Sequence, residues 1–137
     1  MPFLESDDEV RSLLLSSRVI AVVGLSDNPR RDSHGVARYL LNAGYTIVPV
    51  NPNVDNVLGV KSYPTLDDVP EKIDIVDIFR RAEFVPDVVE SAIRVHARAA
   101  WMQLGVFHPG AADYADRAGL QVVVEQCMMV EHQRLVA

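Results

Sequence analysis

The sequence predicts a doubly wound α/β fold, and three observations carry it. Five short β-branched runs show no polar alternation, helical segments with recognisable caps separate most of them, and the runs end in polar turns. A strand covered on both faces has no solvent side to alternate toward, so a continuous apolar run marks a parallel sheet held between two helical layers. Right-handed crossovers then join each strand to the next.

The first element is a helix over residues 6–17. Ser6 and Glu9 have the spacing of a capping box, and Val10, Leu13 and Leu14 recur at helical intervals behind it. The run RVIAVV at 18–23 is the first strand. YTIVPV at 45–50, IDIVDIF at 73–79, AAWMQL at 99–104 and LQVVVE at 120–125 are the second to fifth.

Helices are predicted over 34–43, closed by Gly44; over 84–98, with Pro86 in the first turn; and over 109–118, closed by Gly119. The connection over 51–72 is different. NPNVDNVLGVKSYPTLDDVP is rich in turn residues and predicts only a short helical turn near 65–69. With strand order 3-2-1-4-5 and helices on both faces, the arrangement is Rossmann-like. Its ligand crevice lies beyond the carboxyl ends of the strands, where the order reverses between the first and the fourth.

Composition bounds the function. A chain of 137 residues that is 49% hydrophobic can build one core, so residues 1–137 are read as a single domain. The net charge of -6 argues against nonspecific nucleic-acid binding, which needs clustered positive charge. Cys127 is the only cysteine, so no internal disulfide forms, and no His/Cys spacing suits a structural zinc. The N-terminus MPFLESDDEV is acidic where a signal peptide is basic, and no apolar run approaches the ~20 residues that span a bilayer. These features predict a soluble, cytoplasmic protein with no membrane or nucleic-acid partner.

The strand ends carry the candidate site. The first strand ends at Gly24, and the next helix begins near Ser33 or His34, so free N–H groups and the positive end of a helix dipole face the crevice. That suits a phosphate. Arg30 and Arg31 add charge that a glycine-rich dinucleotide turn does not need, and a further phosphate explains them. The plain structural reading makes Ser33 a helix cap, Gly24 a tight turn and both arginines solvated.

The second strand ends in Asn51-Pro52, where an NAD-binding domain places an acid for the ribose. GxGxxG is absent as well, and Asp55 lies far along the loop. An NAD(P) cofactor is therefore the alternative to a more heavily phosphorylated nucleotide. The third strand ends in Phe79-Arg80-Arg81, an aromatic face and a cation pair suited to an adenine and another phosphate, or else a core ring with two surface arginines. At the end of the fourth strand, Gln103 and Gly105 are placed to meet amide groups of a ligand, while Trp101 and Leu104 read as core.

Catalytic motifs are scarce. His34, His96, His108 and His132 are scattered, with no GxSxG elbow and no HExxH. Enzymatic use of His108 or Cys127 is one alternative, and thiol-redox use of Cys127 is another, against a cysteine that is simply a small buried hydrophobe. An interaction role for the acidic first helix and the tail MVEHQRLVA is the remaining reading.

GLSDNPRRDSHGVARYL, GYTIVPVNP, VLGVKSYPTLDDVP, DIVDIFRR, WMQLGV and EQCMMVEHQRL, in this order, resemble the small single-domain CoA-binding proteins of bacteria and archaea. Those proteins are similar to the CoA-binding domain of the succinyl-CoA synthetase α subunit. The resemblance spans about residues 4–135 and implies CoA or acyl-CoA held along the carboxyl edge of the sheet, without catalysis by this chain.

It further implies that Gly24, Leu25, Ser26, Pro29, Arg30 and Ser33 hold the nucleotide phosphates. Asn51 and Pro52 would border the adenosine, Phe79 and Arg80 would line the next wall, and Gln103 and Gly105 would lie beyond. Two departures stand out. The synthetase has a lysine where Asn53 follows Pro52, a charge that Arg30 or Arg31 is placed to supply. The family tail DRC is replaced here by Glu125-Gln126-Cys127, so no arginine contact carries over. The synthetase's phosphorylated histidine lies in a domain outside this sequence.

Overall fold

Ser6 opens the first helix as its spacing with Glu9 predicts: the Ser6 hydroxyl accepts from the Glu9 amide at 3.2 Å, and the Glu9 carboxylate accepts from the Ser6 amide at 3.3 Å. This helix, α1 (Asp7–Ser16), turns Val10, Leu13 and Leu14 inward. The structure is a computed structural model that describes residues 3–137; Met1 and Pro2 of the acidic N-terminus lie outside the described residues.

The chain continues as β1 (Val19–Val23), α2 (Asp32–Asn42), β2 (Thr46–Val50), β3 (Asn56–Val57) and β4 (Val60–Lys61). Next come a 3₁₀ turn at Leu66–Asp68, β5 (Ile75–Ile78), a second 3₁₀ turn at Ala82–Phe84 and α3 (Val85–Arg94). β6 (Ala99–Met102), α4 (Pro109–Arg117), β7 (Gln121–Val124) and α5 (Met128–Leu135) complete it.

The five apolar runs form one parallel sheet in the order β2-β1-β5-β6-β7. Outside β2 runs a further short segment, where Tyr63 bridges Val50 in parallel just after β4. Counted third in the chain, this segment makes the arrangement consistent with 3-2-1-4-5. The run at 73–79 then takes the fourth place, beside β1, and not the edge place beside β2 that its being third among the apolar runs implied. The reversal of order, and with it the crevice, falls between β1 and β5.

Pro49 explains why the edge is short. Its neighbour Val50 bonds toward β1 by accepting from the Gly24 amide at 2.9 Å, so Pro49 faces outward. There its carbonyl accepts from Tyr63, while its missing N–H interrupts any longer ladder. The connection read as irregular also contains the β3–β4 hairpin, whose tight turn uses positive φ at Leu58 and Gly59.

Alternate residues of β1 serve the two helical layers. Ile20 and Val22 join a core with α1, α2 and α5, whereas Ala21 and Val23 join one with α3 and α4. Helices thus cover both faces, as predicted. The final helix α5 was not among the predicted elements; it seals the first layer through Met128 and Leu135 and is tied to α1 by Arg134 and Asp7 at 2.8 Å. Among the described residues, no helix is long and apolar enough to cross a membrane.

Candidate functional site

The site begins where β1 and β5 end side by side. Gly24 has φ +85°, and a Cβ there would lie 2.3 Å from the Phe79 carbonyl oxygen and 3.1 Å from Arg80 Cδ. The single glycine of this turn is therefore required by the meeting of two strand ends.

Beyond it, side chains hold the loop in shape. Ser26 N–H donates to Ser33 Oγ, Asn28 N–H to Ser26 Oγ and Arg30 N–H to Asn28 Oδ1, each at 3.0 Å. Asn51 at the end of β2 donates through Nδ2 to the Leu25 carbonyl at 2.9 Å, coupling the two loops. Ser33 is thus not the helix cap. It sits inside α2, almost fully buried, and reaches back to brace the turn.

The N-cap position belongs to Arg31, whose side chain makes no capping bond. Among the described residues, the amides of Asp32 and Ser33 accordingly have no acceptor, and they open the helix toward the crevice. Arg30 and Arg31 are exposed beside them, and with Arg38 they enter no ion pair among the described residues.

Two adjoining cavities flank this helix end. One, about 510 Å³, is lined by Gly24, Ser26, Arg30, Arg31, Asp32, Ser33, Asn51 and Phe79. The other, about 600 Å³, shares Arg30, Arg31, Asp32 and Phe79 and extends past Pro29 and Arg38 to Gln103, Cys127, Met129 and Leu104, which is exposed on the cavity wall and not in the core as its place at a strand end suggested. Three arginines against one aspartate leave the rim cationic, while the far wall is apolar.

Eight of the sequence-predicted residues therefore line one cavity or the other: Gly24, Ser26, Pro29, Arg30, Ser33, Asn51, Phe79 and Gln103. Four do not. Leu25 is buried in the core, with only its carbonyl engaged by Asn51. Pro52 is exposed beyond the rim. Arg80 lies over the Phe84 ring, 4.5 Å from its centroid, and Gly105 donates its amide to Glu125 at 3.3 Å.

The structure also recruits residues that sequence reasoning missed. Arg38 follows Arg31 by two helical turns, a spacing that would have placed it on the same face once the helix start was known. Met129 and Val130 arrive through α5. Asp77, in the middle of β5, is fully buried; its Oδ1 accepts from Gln103 Nε2 at 2.6 Å, and its Oδ2 has no partner. Burial pushes its carboxyl up to about 7, against the opposing hydrogen bond from Gln103.

His108 caps α4, its Nδ1 accepting from the Ala111 amide at 3.0 Å. Cys127, half-buried, stands at the start of α5 on the cavity wall.

Fold and strand-end crevice together define a doubly wound α/β domain with its open helix terminus at the carboxyl edge of the sheet. Residues 18–133 match the family model described as a CoA binding domain, and the chain belongs to that family.

It is 41% identical over 127 residues to the uncharacterized protein YneT of Bacillus subtilis, covering 93% of this chain and 94% of that one. A hypothetical protein from Pyrococcus horikoshii has the same fold, with TM-score 0.95 and 41% identity over 97% of this chain and 94% of its own. The chain is also 27% identical to the ADP-forming acetate–CoA ligase I of Archaeoglobus fulgidus, over 84% of this chain but only 18% of the ligase.

Proposed function

We propose that this chain binds CoA or an acyl-CoA at the carboxyl edge of its sheet and serves as a carrier or accessory module without chemistry of its own. The observation that carries the reading is the open start of α2, where the free Asp32 and Ser33 amides stand beside the unpaired Arg30 and Arg31 at the mouth of a cavity. A helix terminus with adjacent guanidinium groups favours polyanionic phosphate. CoA carries a 3′-phosphate besides its pyrophosphate, which accounts for more arginines than a dinucleotide calls for.

The residues fit the group. Gly24, Ser26, Arg30, Ser33 and Asn51 would hold the phosphorylated adenosine, and Phe79, Gln103, Leu104 and Met129 would line the path of the pantetheine arm. Family membership supports the ligand class. The noncatalytic reading is supported by His108, whose ring nitrogen is spent on a helix cap.

Isothermal titration with CoA, dephospho-CoA, NAD, NADP and ATP tests the proposal. CoA is expected to bind tightest. Failure to bind CoA below the millimolar range, or a preference for NAD, overturns it. Arg30→Ala should weaken CoA by about 1–3 kcal/mol, as a lost charge-assisted bond does.

A second reading rests on Cys127 lining the same cavity as Phe79 and Gln103. Its thiolate would attack oxidised CoA, forming a mixed disulfide and releasing one reduced CoA. Unchanged intact mass after exposure to oxidised CoA removes it.

A further inference from the structure

We propose that Asp77 sets which way round the Gln103 carboxamide lies, and that this makes the Phe79–Gln103 end of the larger cavity specific for a hydrogen-bond donor of the ligand. The inference rests on the CoA reading, in which that donor is an amide N–H of the pantetheine arm.

Asp77 stands opposite Trp101 in the β5–β6 register. Gln103 follows Trp101 by two residues, so both side chains lie on the same face of the sheet. Asp77 is wholly buried and Gln103 is 4% exposed, so neither can exchange its partner for bulk water. A carboxamide has one donor end and one acceptor end. With Nε2 given to Asp77, the Oε1 end remains.

Among the described residues Oε1 takes no hydrogen bond, and it is not among the sealed, partnerless atoms as Asp77 Oδ2 is. Ionised, Asp77 offers only acceptors, and the reversed amide would set a carbonyl oxygen against them, so the observed orientation, with Nε2 on Oδ1, is the one the carboxylate selects. Around it, Phe79, Leu104, Cys127 and Met129 make an apolar wall. In such surroundings an acceptor strongly favours a ligand donor and rejects a ligand carbonyl, because a mismatched polar group there is left unpaired.

At about pH 8, where Asp77 is ionised, the test titrates CoA and adenosine 3′,5′-bisphosphate, which lacks the arm, into wild type, Gln103→Leu, Asp77→Leu and Asp77→Asn. Gln103→Leu and Asp77→Leu should each weaken CoA about five- to tenfold. Asp77→Asn, whose carboxamide can turn either Oδ1 or Nδ2 to Gln103 and so no longer fixes its direction, should fall between wild type and Asp77→Leu. The bisphosphate should bind all four proteins alike, which also reports that each is folded.

CoA affinity unchanged in Gln103→Leu or Asp77→Leu overturns the inference, as does an Asp77→Asn as tight as wild type, or parallel loss of the bisphosphate. If Asp77→Leu does not fold, Gln103→Leu decides: unchanged affinity there is fatal. Wild type that takes no CoA at all fails the CoA reading itself, whereas intact wild-type binding with indifferent variants fails only the role of Asp77.

Discussion

Asp77→Asn removes a carboxyl that burial holds well above its ordinary value, and its consequence for stability depends on pH. In the unfolded chain this group loses its proton near 3.8; in the folded protein it keeps it up to about 7. Between those values the folded state binds more protons than the unfolded one, so stability falls as pH rises and levels off above the folded value. At about 1.4 kcal/mol per pH unit, wild type should lose about 3 kcal/mol from this group between about pH 5 and about pH 8.

The carboxamide of the Asp77→Asn variant cannot ionise, so the variant lacks that slope. Other shifted groups do not confuse the comparison. His132, lowered by burial, makes stability rise with pH below its ordinary value of 6.5, but equally in both proteins. Asp7, Glu9 and Asp67, lowered chiefly by hydrogen bonds, lose stability only as pH falls toward and through their folded values, below this window. Urea denaturation of both proteins at four pH values reads the difference between the two curves. The variant should gain on wild type by about 3 kcal/mol from the acid to the alkaline end. Parallel curves, with a gap constant to within about 0.5 kcal/mol, would refute the reasoning.

The turn and its neighbours give three more expectations. Gly24→Ala should destabilise by about 2 kcal/mol or more and abolish ligand binding, since positive φ and a 2.3 Å approach to Phe79 both oppose a Cβ; a thermal melt and a CoA titration read it. Ser33→Ala should cost about 1 kcal/mol by freeing the Ser26 amide, and should weaken CoA through a looser turn, measured by the same two assays. His108→Ala should cost about 1 kcal/mol of stability through the lost α4 cap while leaving CoA affinity unchanged, and a change in affinity would return His108 to the site.

Much of this was legible because it was written in local patterns. RVIAVV and IDIVDIF read as buried strands because both of their faces are covered, and Ser6 with Glu9 read as a cap because capping is a contact between near neighbours. The helix α5 was not, since MMVEHQRL buries Met128, Glu131, His132 and Leu135, a mixed set with little apolar contrast. Ser33 looked like a cap because its residue type suits one; its true partner, the Ser26 amide, depends on how the loop folds back.

By itself, then, the sequence determined the parallel sheet between two helical layers, the polar turn after β1 and the family resemblance. Those follow from residue periodicity and from chemistry placed at fixed spacings. Tertiary structure alone decided that the 73–79 run lies beside β1, because a short edge segment at Tyr63 takes the place beyond β2. It also decided that Gly24 is demanded by the Phe79 carbonyl, and that Asp77 holds Gln103 across two strands. Each of these is a contact between residues far apart in the chain, set by strand register and packing, and no local pattern of residues encodes it.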